Sequence, residues 1–118
     1  MMRVGAIDCG TNSIRLLIAD LTEDGALMDI VRDMEIVRLG QGIDRTGRID
    51  PAAMTRTLRA TQTYAALCRR HDVQKVRFVA TSASRDAENA ADFVAGVDEA
   101  FGDRAVPPEA IPGATAAS

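Results

Sequence analysis

The chain predicts an α/β domain on a mixed sheet, with a three-strand antiparallel meander followed by helix, strand and helix. Three observations predict it. β-Branched and aliphatic runs fill Val4 to Leu39; apolar residues recur at helical spacing after Pro51; and a strand-like run, Lys75–Ala80, interrupts the helical region. A strand reached from a helix returns parallel to an earlier strand through a right-handed crossover.

The first strand runs from Val4 to Asp8 and the second from Ile14 to Asp20, joined as a hairpin. Thr22-Glu23-Asp24-Gly25 reads as a tight turn into a long extended run, Leu27 to Leu39. Gly40-Gln41-Gly42-Ile43-Asp44-Arg45-Thr46-Gly47 breaks all periodicity and predicts a loop. A helix begins at Pro51 with Asp50 as N-cap, since a proline at the first helical position loses no hydrogen bond. Met54, Leu58, Thr61, Ala65 and Cys68 share one helical face, which is assigned to the core. A second helix is expected from about Asp86 to Phe101, with Ala90, Phe93 or Val94, Val97 and Phe101 inward. A last short strand is expected near Ala110-Ile111, and the Pro- and Ala-rich tail from Ala105 is expected to fray.

A domain of this length buries roughly 65% of its unfolded surface. With 47% hydrophobic and 26% charged residues, the composition excludes wholesale disorder. No apolar run is long enough to span a membrane, and Met1-Met2-Arg3 leads into a strand rather than a signal peptide, so a cytoplasmic location is expected. A net charge of −3 argues against general nucleic-acid or anionic-membrane binding. Cys9 and Cys68 are too few for a metal site or a disulfide scaffold and are expected to be reduced and buried.

Two segments carry candidate chemistry. In Ile7-Asp8-Cys9-Gly10-Thr11-Asn12-Ser13-Ile14-Arg15-Leu16 a polar turn joins two apolar strands. Gly10 permits an unusual backbone conformation and close ligand approach, while Thr11, Asn12 and Ser13 supply donors. Hydrogen bonds to a charged partner contribute roughly 1.5–3 kcal/mol each, so a few could hold a phosphate without lysine. Asp8 at the strand end repels such an anion unless a divalent cation intervenes, which points to Mg²⁺ held directly or through water. The alternative is a polar turn that binds nothing. In Thr81-Ser82-Ala83-Ser84-Arg85-Asp86, between a strand end and a helix start, the hydroxyls of Ser82 and Ser84, a helix N-terminus and the planar fork of Arg85 suit phosphate. Here the alternative is a serine N-cap with Arg85 paired to Asp86 or Glu88.

Asp8 to Arg15, read Asp-x-Gly-Thr-Asn-Ser-x-Arg, closely resembles the first phosphate motif of the exopolyphosphatase and guanosine pentaphosphate phosphatase family (Ppx/GppA), a branch of the actin-like ATPase superfold. Thr81 to Asn89 resembles that family's second signature. Arg38-Leu39-Gly40-Gln41-Gly42-Ile43-Asp44 is also similar, its glycines read as letting a loop fold over the strand ends, with direct substrate contact as the alternative.

The resemblance covers Val4 to about Ile111. It implies one actin-like (ribonuclease H-like) lobe over residues 1–111, with 112–118 as a frayed tail. It further implies release of terminal phosphate from polyphosphate or guanosine pentaphosphate, with Mg²⁺ as cofactor, Gly10, Thr11, Asn12, Ser13, Ser82 and Ser84 gripping phosphate, and Arg85 as the catalytic cation. Alternatives are a non-enzymatic phosphate or nucleotide-sensing module, or a lobe of another actin-like ATPase or kinase.

The chain departs from the family where a glutamate base is expected: Ala114, Thr115 and Ala116 stand there instead, and none is a carboxylate. The second phosphate loop of the next lobe is also missing. The expectation is a lobe incomplete as an enzyme, associating with a missing C-terminal lobe or forming a homodimer through its uncovered face.

Overall fold

The structure is a computed structural model that describes residues 2–102, with the side chains of residues 82 and 83 excepted. The strand expected near Ala110-Ile111, the tail and the run carrying Ala114 to Ala116 lie outside the described residues.

β1 (Met2–Cys9), β2 (Ser13–Leu21) and β3 (Leu27–Ile36) form the expected meander. β4 (Lys75–Ala80) lies parallel to β1, in register from Val4 beside Lys75 to Cys9 beside Ala80, so the predicted crossover is present. Across the four-stranded sheet the order is β3-β2-β1-β4. β3 is an edge strand that leaves Leu27, Met28, Met34 and Ile36 exposed. An irregularity between Ile18 and Ala19 of β2 skips Ile30, and such a bulge, with Asp29, Arg32, Asp33 and Glu35 alongside, discourages pairing with another edge.

Three local expectations are corrected. The Gly40–Gly47 loop contains a helical turn, α1 (Ile43–Thr46), bounded by Gly42 at φ 79° and Gly47 at φ 70°. Left-handed glycines at both ends let so short a turn start and stop. In α2 (Pro51–Arg70) the cap is as expected, the Asp50 carboxylate accepting from the N–H groups of Ala52 and Ala53. Thr61, Ala65 and Cys68 are buried as expected, but in the first half of the helix the buried face falls on Ala53, Thr57 and Ala60, with Tyr64 beyond them. Small residues here let the helix approach the sheet, while Met54 and Leu58 are only partly buried. Leu58 fits the space left by Gly96, where an added Cβ would stand 2.6 Å from Leu58 Cδ1.

The third correction concerns the second helix, which begins at Ala90 rather than near Asp86, as α4 (Ala90–Phe101), after a separate short helix, α3 (Ser82–Asp86). Ala87 is extended at ψ 147° between them. Ala87 is buried and the Glu88 N–H donates to Gly47 O at 2.8 Å, an anchorage that a continuous helix could not make. In α4 the inward residues are Phe93, Val97 and Phe101, with Val94 exposed.

The core lies between the sheet and α2 with α4. Ile7, Ile14 and Ile18 meet Tyr64, Phe78 and Val97 in one cluster, and the Tyr64 hydroxyl donates to Ile14 O at 3.3 Å. Arg3 ties β1 to β2 through Asp20, its Nε donating to Oδ1 at 2.9 Å, and donates from Nη1 to the carbonyl of His71, the C-cap of α2. That hydrogen bond to Arg3 holds the Asp20 carboxyl below its ordinary value. Among the described residues, no helix is long and apolar enough to cross a membrane.

Both cysteines are free and buried as expected. Burial first, and Asp8 second, push the Cys9 thiol up to about 12, and burial pushes Cys68 up to about 11, from an ordinary 9.0. The thiols therefore stay neutral in the fold after they ionise in the unfolded chain. Their contribution to stability is complete below pH 9 and is lost as pH rises from there toward 11–12. At pH 8 a thiol reagent is expected to label neither cysteine until urea unfolds the chain; rapid labelling of the native protein would refute this placement.

Candidate functional site

The turn between β1 and β2 is closed by the Gly10 N–H donating to Ser13 O at 2.9 Å. Its carbonyls are consumed from outside. Asn12 O accepts from the N–H groups of both Val37 and Arg38, and Thr11 O accepts from Gly40, all at 2.9 Å. Gly40 approaches closely enough that a Cβ there would stand 3.1 Å from Thr11 Cβ. The loop therefore folds over the strand ends, as its glycines suggested.

With the carbonyls tied off, the N–H groups of Thr11 and Asn12 have no acceptor among the described residues. Successive free N–H groups give a turn local positive potential and suit it to an anion. Thr11 is partly exposed and Asn12 exposed, whereas Ser13 is buried at 8% exposure. The reason offered for Gly10 is corrected: the described glycines with left-handed backbone are Gly25, Gly42, Gly47 and Gly102. Gly10 is buried where the ladder continues into the turn, so no left-handed residue is needed there.

The second segment begins beside the first. β4 ends at Ala80 next to Cys9, and the Thr81 N–H donates to Cys9 O at 3.3 Å. Both segments thus leave the carboxyl ends of adjacent parallel strands, the edge at which open α/β sheets collect ligands. The cap of α3 is Thr81 rather than a serine, its hydroxyl accepting from the Ser84 N–H at 3.4 Å and lying 3.1 Å from Ser84 Oγ. Ser84 is fully buried in this pairing and serves to hold the turn; its expected part in gripping phosphate is corrected accordingly. Ser82 opens α3, a helix of only five residues, so the dipole argument made for this N-terminus loses its force.

Arg85 is exposed and makes no ion pair among the described residues. The pairing with Asp86 or Glu88 is not adopted: Glu88 meets Arg48 at 3.4 Å instead. Asn89 clamps the loop before α2, its side chain accepting from Ile49 N at 2.8 Å and donating to Ile49 O at 3.0 Å.

Asp8 lines a cavity of about 710 Å³ over the sheet face that the described residues leave uncovered, with Arg15, Arg77, Asp33 and the apolar Leu17 and Val79, whereas Thr11 and Asn12 line a different one. Among the described residues no three metal-ligating side chains cluster. Mg²⁺ commonly takes one or two protein carboxylates and completes its shell with water and phosphate oxygens. Asp8 fits that mode alone, with Arg15 directly opposite it on β2 competing for the same charge. The fit is to an ion carried in with a phosphate. Sequence reasoning gave no role to Arg38, which shares a second cavity of about 480 Å³ with Thr11, Asn12 and Asp44. Its signal was an arginine directly ahead of a glycine-spaced loop.

Comparison with known proteins matches residues 17–118 to the model of the Ppx/GppA phosphatase family. Exopolyphosphatase 2 of Mycobacterium tuberculosis is 49% identical over 119 aligned residues, covering 98% of this chain and 35% of that protein. The Aquifex aeolicus Ppx/GppA family member superposes with a TM-score of 0.82 at 35% identity, covering 93% of this chain and 35% of that one. An exopolyphosphatase-like protein superposes at 0.85 with 43% identity, over 96% of this chain and 33% of the other. The chain spans about a third of the length of these relatives.

Proposed function

This chain belongs to the Ppx/GppA phosphatase family and has its actin-like fold, and from that premise we propose that residues 10–13 and Arg85 form one jaw of a phosphoanhydride clamp. The observation that carries the reading is the turn whose carbonyls are occupied while the Thr11 and Asn12 N–H groups remain free. These two donors and the Thr11 and Asn12 side chains bind a terminal phosphate. Arg85, leaving the adjacent strand end, offsets charge on the same group. Phosphoryl transfer asks little covalent chemistry of a protein, so positioning and charge stabilisation are what such a jaw contributes. Mg²⁺ at Asp8, when bound, would offset further phosphate charge.

The substrate assigned is polyphosphate, as the names of the exopolyphosphatase relatives suggest, with guanosine pentaphosphate second. In this reading the glutamate base and the opposing phosphate loop are not among these 118 residues, Ala114, Thr115 and Ala116 standing where the base is expected. The 118-residue chain is therefore expected to bind without turning over. The uncovered sheet face is the natural seat of further chain, from a C-terminal lobe or a second copy.

Titration with tripolyphosphate, followed by amide NMR, tests this. Shifts are expected at residues 10–13 and 81–85, with no sustained phosphate release. Shifts confined to other surfaces would remove the site, and Mg²⁺-dependent turnover would refute the need for a base from elsewhere.

A further inference from the structure

Arg38 holds φ 52°, a left-handed conformation shared among the described non-glycine residues only with Asp72. Such a backbone is unfavourable for a long side chain and persists only where its surroundings impose it. They do so from two sides. The N–H groups of Val37, Arg38 and Gly40 are spent on the carbonyls of Asn12 and Thr11. From α2, Arg56 donates through Nε to Val37 O at 3.0 Å and through Nη2 to Gln41 Oε1 at 2.9 Å. Glycine would take this φ without strain; arginine adds a guanidinium at the turn.

That guanidinium is exposed and makes no ion pair among the described residues. It lines the cavity of about 480 Å³ that also meets Thr11 and Asn12, a volume ordinary for a small-molecule site. A phosphate on the turn thus has a second cation beside it. A lone orthophosphate needs only the turn. A longer anion needs somewhere to continue, and the planar fork of arginine suits its oxygens.

We propose that this cavity receives the second phosphate of free linear polyphosphate, that Arg38 contacts it, and that the site thereby prefers a chain to orthophosphate. The inference rests on the reading that residues 10–13 hold the first phosphate. Asp44, in the same cavity, opposes the anion and limits its affinity.

The test compares dissociation constants of orthophosphate, tripolyphosphate and ATP for the unmodified 118-residue chain and three variants, by NMR titration. Arg38→Gln is expected to weaken tripolyphosphate binding about tenfold or more and to change orthophosphate binding by less than about twofold. Arg38→Gly is expected to show the same loss while its Tm rises, because the left-handed strain is relieved. Asp44→Asn is expected to tighten tripolyphosphate binding.

Unchanged tripolyphosphate affinity in Arg38→Gln would overturn the proposal, as would an equal fall for both inorganic ligands, which marks a structural role. ATP binding more tightly than tripolyphosphate would assign the cavity to a nucleotide and overturn it too. If the unmodified chain binds no phosphate compound, the clamp reading fails and this inference with it. If it binds orthophosphate and tripolyphosphate equally, the inference alone fails.

Discussion

Arg85→Gln is expected to lower tripolyphosphate affinity by roughly ten- to a hundredfold, the range set by losing one or two charge-assisted hydrogen bonds. The change leaves the fold in place, since Arg85 is exposed and makes no ion pair among the described residues. Its backbone is positioned by groups the substitution does not touch: Thr81 caps α3, Ser84 pairs with Thr81, and the Thr81 N–H reaches Cys9 O. Arg85→Lys should recover only part of the loss, because an ammonium is a point charge without the fork that spans two phosphate oxygens. The readout is the dissociation constant alongside an unchanged Tm. Equal affinity for Arg85→Gln and the unmodified chain would separate the two segments functionally, however close their backbones begin.

Phe78→Ala is expected to cost about 3–5 kcal/mol of stability, the range for deleting a buried aromatic ring. Phe78 is 1% exposed and meets Phe93 edge to face, ring centroids 6.0 Å apart. It joins the sheet to α4 in mid-β4, the strand whose end delivers Thr81 beside Cys9. Small domains are stable by roughly 5–15 kcal/mol in total, so this one substitution should remove a large share and lower the urea midpoint correspondingly. Phe93→Ala should resemble it, and the double variant should cost less than the sum because the two rings touch. A loss below about 1 kcal/mol would mean that the ring does not bridge sheet and helix as described.

The apolar periodicities were sufficient for β1 to β4 and the crossover, and Asp50 with Pro51 for the capped start of α2, because each rests on local patterning that packing then reinforces. They failed where several residues had to agree with a distant partner. Nothing local breaks the run from Asp86 to Phe101; the break at Ala87 exists because Glu88 N–H bonds to Gly47 O and Asn89 clamps Ile49. The buried face of α2 was misplaced in its first half for a related reason. Met54 and Leu58 are the large apolar residues, yet the sheet admits the smaller Ala53, Thr57 and Ala60, and Leu58 turns to the gap at Gly96.

Residue order alone determined the two candidate phosphate segments, since glycine, hydroxyl residues and arginine at strand ends declare their hydrogen-bonding chemistry without reference to anything far away. Only the tertiary structure decided which of those groups remain available. Ser84 is spent on Thr81, the turn's carbonyls are spent on the 37–40 loop, and Arg38, whose stretch was read only as a glycine-spaced loop, is pressed into a left-handed backbone beside Thr11 and Asn12. The physical reason is that a donor's availability depends on what else it can bond, and those competitors arrive from residues remote in the chain.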